Sequence, residues 1–463
     1  MKERDQFDSL SPLDYRYWDE EVAKDLSENG FTRYKLCMEL ALVRVLHRRG
    51  ICPEVVVREV ETACGQVTTA EVYAEEDRIR HDIRAFVNCI RAKVSESAKP
   101  YVHMTATSYD IIDSANAARY RDVVVKVLVP SLTKLEGVLI GITLREAETV
   151  QVGRTHGQHA VPITFGFALA GYVSRLGGSI EALKVLAVEL PGKFSGAVGA
   201  YNASSLFFDD PESFEAEVLA ELRLAPAEHS TQIVPPEALT RLFCEVTITA
   251  GILANLSDDM RNLQRTEIGE VGEEFEAAQV GSSTMPQKRN PINFENSKSF
   301  WKIVMPRIMT VFMDQISEHQ RDLTNSASAR TYGEVIAYVV STAKRLTRTM
   351  RTLTVDHENL KRNLNASKSG IAEPLQLMLS ALGHPDAYEE VRKLTLQAQR
   401  MRRPLEEVVA GNAEMQGYLA RMTPRQRQIL SNPSLYTGIA AKKARAVAER
   451  WRERLNLQHG KEG

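Results

Sequence analysis

The chain has 463 residues, of which 43% are hydrophobic and 25% charged, values typical of a globular protein with a sizeable core. Its 58 basic and 60 acidic residues nearly cancel, which argues against nucleic acid as the main partner. We find no apolar stretch long enough to span a membrane, and the charged N-terminus leads into no secretory signal. We therefore expect a cytoplasmic protein with no membrane partner.

The cysteines favour a reducing compartment. There are five, an odd number, and none stands with another cysteine or a histidine at the spacing of a zinc site. We therefore expect free thiols.

Helical periodicity dominates the chain, and alternating β-branched stretches are scarce. In chain order, the long predicted helical segments are 31–50, 68–97, 114–149, 162–190, 236–267, 292–318 and 328–354. Pro130 interrupts the third segment and is expected to kink it or to separate two helices. Five long apolar helices in the middle of the chain must bury their surfaces against each other or against other subunits, which a bundle with an oligomeric core allows.

Changes in composition near residues 112 and 365 predict three parts. These are an N-terminal helical domain (1–112), a central helical bundle (113–365) and a C-terminal helical domain (366–463). Shorter helices, punctuated by glycine and proline, are predicted for the last part. The predicted fold class is all-α.

The segment from Gly281 to Pro291, GSSTMPQKRNP, is the most distinctive of the chain. It carries hydroxyls, cations and amides but only one large apolar side chain, Met285. Glycine and two prolines disfavour regular structure, so we predict a loop that presents Ser, Lys and Asn to an anion. Pro291 opens an apolar-periodic run, which places the loop at a helix N-terminus, where backbone N–H groups favour negative charge.

Polar residues gather at other joints between the predicted helices. These clusters are Arg80-His81-Asp82, the segment from His103 to Asp110, the segment from Gly153 to His159, the segment from His319 to Ser326 with Arg330 beyond, and, more weakly, Ser230-Thr231-Gln232. Structural interpretations exist for each, such as a solvated helix face, a helix cap or a surface ion pair. Five of the ten histidines fall in these clusters, beside Thr, Ser or Arg, which favours function.

This inventory suits acid–base chemistry on a polyanion. Phosphate-binding glycine loops and nucleophile elbows are absent from the sequence, and His156 and His159 have no carboxylate beside them, so we expect no metal and no other cofactor. Arginine and lysine would bind carboxylates or phosphate, and a histidine would titrate near neutrality. A serine in the cationic loop could act as a base if its alkoxide were stabilised.

At these residues the chain resembles the fumarase/aspartase superfamily, whose signature loop is GSSxMPxKxNP. The resemblance extends from about residue 11 to about residue 400. In detail, the chain is most similar to the adenylosuccinate lyase branch. The segments that carry it are SPLDYRY at 11–17, RHD at 80–82, HMTATSYD at 103–110, GRTHGQHAVPITFG at 153–166, KFSGAVGAYN at 193–202, STQI at 230–233 and QRDLTNSASAR at 320–330.

The resemblance implies a three-part, mostly helical chain whose central part is a long five-helix bundle. Four bundles would form the twenty-helix core of a homotetramer, with active sites built from three subunits. The implied reaction is β-elimination of fumarate from adenylosuccinate, giving AMP, and from SAICAR, giving AICAR, in purine biosynthesis. The implied partners are thus these small molecules and further copies of the chain.

Matching motifs imply a role for each site residue. Ser282 resembles the general base and His156 the general acid, with His81 supporting the acid or contacting phosphate. Lys288 and Asn290 resemble the groups that hold the succinyl carboxylates. The other implied substrate-binding residues are Arg16, Tyr17, Arg80, Asp82, His103, Thr107, Ser108, Asp110, Thr155, Gln232, Ser283, Met285, Arg321, Ser326, Arg330 and Glu295, of which the last resembles a carboxylate that orients a histidine.

Two departures concern the nucleotide side of the site. Many members carry Arg-Asp soon after the Gln of STQ, where this chain continues Ile-Val-Pro, a version similar to another branch of adenylosuccinate lyases. Many also have Glu before the last Arg of QRDLTNSASAR, where this chain has Ala329. The nucleotide contacts are therefore assigned on fewer matching residues than the fumarate contacts.

Two alternatives stay open at the level of sequence. One is another fumarate-releasing lyase or cycloisomerase of the superfamily, such as argininosuccinate lyase or 3-carboxymuconate cycloisomerase. The segments at 11–17, 80–82 and 103–110 favour the purine substrate instead. The other is a non-catalytic protein on the same scaffold, against which the presence of Ser282 and His156 argues.

Overall fold

The computed structural model describes residues 4–275, 281–367 and 370–457. The N-terminal helices are α1 (Asp14–Tyr17), α2 (Glu20–Leu26), α3 (Glu28–Arg48), α4 (Glu54–Cys64), α5 (Thr69–Ile79), α6 (Asp82–Arg91) and α7 (Ser108–Val123). The next are α8 (Val129–Arg145), α9 (Phe165–Val188), α10 (Pro211–Ala220), α11 (Glu237–Leu263), α12 (Ile292–Met313) and α13 (Tyr332–Arg351).

The C-terminal helices are short, as the sequence predicts. They are α14 (His357–Ala366), α15 (Ala372–Ala381), α16 (Ala387–Met401), α17 (Leu405–Ala410), α18 (Ala413–Arg421), α19 (Pro424–Ser431) and α20 (Ala440–Arg454). Short 3₁₀ segments lie at Gln6–Asp8, Lys99–Tyr101, Ser204–Leu206, Ser328–Thr331 and Pro433–Leu435. Helices thus dominate the described residues, and the predicted all-α class is confirmed.

The strands are few and short. Strands β1 (Val150–Thr155) and β2 (Gln158–Thr164) form an antiparallel hairpin with an irregularity between Val152 and Arg154. Strands β3 (Val271–Gly272) and β4 (Thr354–Val355) form a second antiparallel pair. The hairpin is absent from the sequence prediction, because polar turn residues split its short alternating apolar pattern.

Two predicted helical segments are interrupted. The segment predicted at 114–149 comprises α7, a π-helical turn at Val124–Leu128 and α8, whose second residue is Pro130. Pro130 thus lies in the first turn of α8, close to a junction between two helices, which is one of the two outcomes expected for it. The segment predicted at 68–97 breaks at Arg80, whose φ of 59° ends α5 in the left-handed region.

Contacts between residues divide the chain into two units. The first comprises Met1–Leu132, Gly178–Leu253 and Ser299–Lys344, and the second Thr133–Gly177, Ala254–Lys298 and Arg345–Gly463. Each unit has its own core. In the first, Met38, Leu42 and Leu46 follow one face of α3 and are fully buried. In the second, helices α15 to α18 enclose a cluster that includes Leu375, Leu394, Leu405 and Met415.

Helix α11 is long and apolar enough, by length and composition, to cross a membrane. An apolar stretch of 18 residues in this helix has a mean hydropathy of 1.3, and 61% of that stretch is buried within the chain. Buried core helices of globular proteins meet the same criterion, so this helix is weak evidence for a membrane. All five cysteines are free thiols, as the sequence predicts.

Candidate active site

The signature loop between Gly281 and Pro291 folds around the Ser282 hydroxyl. Ser282 Oγ accepts a hydrogen bond from the N–H of Met285 at 3.1 Å and another from the N–H of Thr284 at 3.3 Å. The N–H of Lys288 then bonds to the Met285 carbonyl oxygen at 3.0 Å. Hydrogen bonds that favour the charged form of a group lower its pKa, so these two N–H donors favour the alkoxide of Ser282.

The two ends of the loop are joined to each other. Asn290 Nδ2 donates to the Gly281 carbonyl oxygen at 3.1 Å. A Cβ placed on Gly281 would collide with the carbonyl oxygen of Lys288 and with the ring of Phe275, so only glycine fits there. Between these ends, Ser283, Met285 and Lys288 are exposed.

Helix α12 begins directly after the loop, at Ile292, as predicted. Its first N–H groups, however, are not available to a ligand. Glu273 accepts hydrogen bonds from the N–H groups of Asn293 and Phe294, each at 3.0 Å, and from Asn293 Nδ2 at 2.7 Å. The prediction that this helix N-terminus binds an anion is therefore corrected, since a carboxylate of the chain already caps it. Glu295 is exposed on the first turn of α12.

His156 lies at the tip of the hairpin formed by β1 and β2. His156 and Gly157 form its two-residue turn, and both have positive φ, 54° and 71°. Such a turn matches the twist of the two strands but strains a residue with a Cβ. The side chains of His156, Thr155 and His159 are all exposed. A histidine is thus presented to solvent at a strained position, which is typical of a functional site.

In the first unit, His103 pairs with a buried carboxylate. Its ring nitrogen Nδ1 lies 2.6 Å from Glu39 Oε1, and the backbone N–H of His103 donates to Glu39 Oε2 at 3.0 Å. Burial acts to lower the pKa of His103, but the charge of Glu39 and its hydrogen bond outweigh burial and raise that pKa. Glu39 belongs to α3, 64 residues away in sequence, and the sequence contains no signal for this partner.

Thr107 and Asp110 form a capping box at the start of α7. The N–H of Thr107 donates to Asp110 Oδ2 at 2.8 Å, while Lys193 and the N–H of Gly196 bond to Asp110 Oδ1. Asp110 and Lys193 are both fully buried. We therefore correct the direct substrate contact predicted for Asp110, because its carboxylate is enclosed and occupied. Ser108 is half-buried at the first position of α7.

The residues Arg80 and His81 lie between α5 and α6. His81 Nδ1 accepts the N–H of Arg84 at 3.2 Å and so caps α6, which leaves Nε2 as the ring nitrogen that carries the proton in the neutral form. Arg80 is exposed and lies 3.6 Å from Asp77. The structure thus gives His81 a structural role beside the catalytic one predicted for it.

Two of the predicted clusters meet at Arg321. Its guanidinium lies 3.5 Å from the ring centroid of Tyr109, a residue of the segment 103–110. Burial lowers the pKa of Arg321 below its ordinary value, although the charges of Asp82 and Asp322 act in the opposite direction. Farther along, Arg330 Nη1 donates to the Ser326 carbonyl oxygen at 2.9 Å, and both residues are exposed.

The weaker cluster at Ser230-Thr231-Gln232 lies beside the segment that holds Arg321. The N–H of Gln232 donates to the Gln320 carbonyl oxygen at 3.3 Å. The N–H of Val234 donates to Asp113 Oδ2 at 2.8 Å, and burial raises the pKa of Asp113 to about 7. Asp113 is not among the predicted site residues, although it follows Asp110 by about one helical turn.

The predicted N-terminal contacts lie on α1. Arg16 is exposed, and its guanidinium lies 5.9 Å from the ring centroid of Tyr17. The Tyr17 ring packs edge-on against Phe300, with ring centroids 4.8 Å apart. Both residues belong to the first unit, as do the other predicted residues of segments 80–82, 103–110, 230–232 and 320–330, whereas Thr155, His156, Ser282, Ser283, Met285, Lys288, Asn290 and Glu295 belong to the second.

Residues 4–275, 281–367 and 370–457 do not bring metal-binding side chains together in sufficient number. No group of three or more His, Cys, Asp or Glu side chains in those residues could hold a metal ion. The polar clusters described above combine carboxylates with hydroxyl, imidazole, guanidinium, ammonium and amide groups, of which the cations bind anions and the histidines exchange protons.

Comparisons with known proteins identify the family of the chain. A family model described as Lyase matches residues 11–305, and one described as Adenylosuccinate lyase C-terminal matches residues 317–427. An adenylosuccinate lyase of Pyrococcus abyssi is 36% identical, over 89% of this chain and 92% of its own length. One of Pyrococcus horikoshii is 35% identical, over 95% and 98% respectively.

Solved structures share the fold. A 3-carboxy-cis,cis-muconate lactonizing enzyme from Pseudomonas putida has a TM-score of 0.84 at 24% identity, covering 96% of this chain and 100% of its own. A fumarate lyase from Mesorhizobium sp. BNC1 has a TM-score of 0.83 at 22% identity, covering 94% and 98%. The chain is thus a lyase with the fold of the fumarase/aspartase superfamily. Within that superfamily it belongs to the adenylosuccinate lyase family.

Proposed function

We propose that the chain cleaves adenylosuccinate to AMP and fumarate, and SAICAR to AICAR and fumarate. The observation that carries the proposal is the geometry of the signature loop, in which the Ser282 hydroxyl accepts two backbone N–H bonds and Lys288 is exposed six residues later. The names of the relatives support the substrate, since the proteins from both Pyrococcus species are adenylosuccinate lyases.

In the proposed reaction Ser282 is the base. Its alkoxide removes the proton from the carbon beside a succinyl carboxylate, and the electron pair of that C–H bond moves onto the carboxylate. The Thr284 and Met285 N–H groups stabilise the alkoxide before the transfer. Lys288 and Asn290 bind the carboxylate that gains negative charge, which lowers the barrier because these donors are already in place.

Cleavage of the C–N bond needs an acid. The electron pair on the activated carboxylate returns to form the C=C bond of fumarate, while the pair of the breaking C–N bond stays on nitrogen. His156 gives that nitrogen a proton, and it is exposed at the hairpin tip, where a substrate can approach. Thr155 precedes it on β1 and Thr107 and Ser108 begin α7; we assign all three to the succinyl end of the substrate.

The nucleotide end of the substrate is assigned to the cationic residues of the first unit. Arg321, Arg330 and Arg16 would bind the phosphate, since guanidinium groups match phosphate oxygens in pairs. Arg16 and Arg330 are exposed and so accessible to a ligand. The remaining residues proposed for the substrate as a whole, at either end, are Tyr17, Arg80, His81, Asp82, His103, Gln232, Ser283, Met285, Ser326 and Glu295, of which the last would orient a histidine.

The chain is proposed to act as a homotetramer in the cytoplasm, with active sites shared between subunits. Support comes from an apolar stripe formed by Met305, Met309, Phe312 and Met313 of α12 and by Ile316 just after it, all exposed in the single chain. Their spacing places them on one face, and exposed patches of this kind mark association surfaces. The division into parts 1–112, 113–365 and 366–463 is proposed with it.

The test is to incubate the purified protein with adenylosuccinate and follow the ultraviolet spectrum of the purine as fumarate leaves. Conversion to AMP is expected. Argininosuccinate and 3-carboxymuconate are assayed in parallel, because family members act on related substrates. Turnover of either one, without turnover of adenylosuccinate, would refute the proposal.

A further inference from the structure

A buried carboxylate, Glu270, binds the first strand of the histidine hairpin. Arg154 donates through Nη2 to Oε1 at 2.5 Å and through Nη1 to Oε2 at 3.0 Å. Gln151 Nε2 donates to Oε2 at 2.7 Å and Asn363 Nδ2 to Oε1 at 2.8 Å. The Glu270 side chain is 0% exposed. Because a carboxylate offers about four acceptor sites, Glu270 has no capacity left for a ligand.

These bonds hold β1 at two points. Gln151 and Arg154 lie on the same strand, and Arg154 precedes His156 by two residues. A bidentate hydrogen bond between a guanidinium and a carboxylate fixes the orientation of both groups as well as their distance. His156 itself is exposed and has a strained backbone, so the position of its imidazole depends on how firmly the strand below it is held.

Glu270 is in turn held by the rest of its unit. The next two residues form β3, which pairs with β4, and the N–H of Asp356 donates to the Glu270 carbonyl oxygen at 2.9 Å. Asn363, one of the donors to its carboxylate, belongs to α14. Three residues after Glu270, Glu273 caps α12, the helix that follows the signature loop. The hairpin and the start of α12 are therefore both bound to one four-residue stretch.

We propose that Glu270 is a positioning residue for the lyase reaction, which through Arg154 holds His156 where it can protonate the leaving nitrogen. This inference depends on the proposed function, because it assigns the acid step to His156. Glu270 does not touch the substrate in this scheme. Its loss should therefore impair proton delivery to nitrogen more than removal of the carbon-bound proton by Ser282.

Glu270→Gln tests this directly, since it keeps the side chain's size but removes its charge and one acceptor. We expect kcat to fall by roughly 10- to 100-fold with KM nearly unchanged, the effect of a small displacement of a catalytic group. In D₂O, NMR should show that exchange of the abstracted C–H proton of adenylosuccinate persists while C–N cleavage slows. A merely structural loss would reduce exchange and cleavage together, and that result, or wild-type kcat, would overturn the proposal.

Two further variants complete the test: one applies if Glu270→Gln does not fold, and the other is a control. Breaking a buried ion pair is strongly destabilising, which puts the folding of Glu270→Gln at risk. Arg154→Lys keeps the positive charge but loses the bidentate hydrogen bond. It should slow C–N cleavage more than C–H exchange, as Glu270→Gln does, but to a smaller extent. If Glu270→Gln does not fold, Arg154→Lys decides by the same criteria. The matched control is Asp258→Asn, which removes a carboxylate that pairs with Lys298 at 2.5 Å and Arg261 at 2.9 Å on α12 and α11. It should leave the ratio of exchange to cleavage unchanged.

Failure of the proposed function can be distinguished from failure of this inference. If the wild-type protein does not convert adenylosuccinate, the proposed function is refuted. The positioning of His156 is then judged from its imidazole NMR signals, assigned by comparison with His156→Asn. Signals that move in Glu270→Gln but not in Asp258→Asn support the link, whereas signals unchanged in both overturn it.

Discussion

The Ser282 hydroxyl is held by backbone groups, so its environment survives changes to neighbouring side chains. Ser282→Ala should remove the base but leave the loop backbone able to fold. We expect a folded protein that binds adenylosuccinate and turns over about 10²–10⁴-fold more slowly, the usual contribution of a general base. Stopped-flow absorbance and binding calorimetry measure the two effects separately.

Thr284→Ala is the matched control for this prediction. It removes a neighbouring hydroxyl but keeps the Thr284 N–H, which is the group that donates to Ser282. Its rate should remain close to that of the wild type. Full activity in Ser282→Ala would eliminate Ser282 as the base.

The backbone at His156 restricts which substitutions are informative. Because φ is 54°, Asn is tolerated there, whereas a β-branched residue is strained. His156→Asn should therefore keep the thermal midpoint of the wild type while kcat falls by about 10²–10⁴-fold. His156→Val should lose activity and also melt at a lower temperature. Equal melting temperatures for Asn and Val would contradict the strained turn.

At the level of single residues, the sequence predicted the exposed groups better than the buried ones. Ser282 and His156 stand in recognisable motifs and lie, as predicted, on a loop and at a joint. Their supporting carboxylates could not be predicted, because Glu39 and Glu270 lie 64 and 116 residues from the partners they bind. Asp110 was assigned to the substrate because its motif does not reveal burial against Lys193.

Among the elements, the helices were predictable and the hairpin was not. An apolar stripe recurring over five or more turns identifies a helix such as α11 from sequence alone. Strands β1 and β2 have few residues each, and their polar tip conceals the alternation of apolar side chains. Pro130 was expected to kink a helix or to separate two, and it lies in the first turn of α8, just after the π turn at Val124–Leu128.

Helix α8 contains a carboxyl group that opposes folding at high pH. Glu136 is fully buried, and among the described residues neither of its oxygens has a hydrogen-bond partner. Burial raises the pKa of Glu136 to about 9. Since the folded pKa exceeds the ordinary value of 4.5, the stability linked to this group is fully present below pH 4.5 and is lost as pH rises toward 9.

Residue 136 does not titrate in Glu136→Gln, so the stability of this variant relative to the wild type should increase as pH rises. We expect the difference in free energy of unfolding to grow by about 1 kcal/mol or more between pH 5 and pH 9. Urea titrations at a series of pH values measure it. Glu148→Gln removes an exposed carboxylate three residues after the end of α8. Its free energy of unfolding should change with pH in parallel with that of the wild type. Parallel curves for Glu136→Gln would contradict the prediction.

For the whole molecule, the exposed stripe on α12 predicts association. Met309 is 57% and Met313 66% exposed in the single chain, which is costly for large apolar side chains unless another subunit covers them. Met309→Glu would bury an unpaired charge in that contact. Sedimentation velocity should then show smaller species than the tetramer expected for the wild type, and activity should fall with assembly.

Leu435→Glu provides the comparison, because Leu435 is 52% exposed but lies outside the stripe. It should sediment as the wild type does. An active wild-type monomer would remove the shared active site from the proposal, and an intact tetramer of Met309→Glu would place the contact elsewhere.

The hydrogen bond between Asn290 and the Gly281 carbonyl closes the signature loop into a ring. A ring of this kind swings as one body instead of unravelling residue by residue, so Ser282 and Lys288 should enter and leave the active site together. Relaxation-dispersion NMR would then report a single exchange rate for the backbone N–H groups from 282 to 289, except at Pro286, which has none. In Asn290→Ala that common rate should separate into several, and the base could approach a substrate without the cation that stabilises its product.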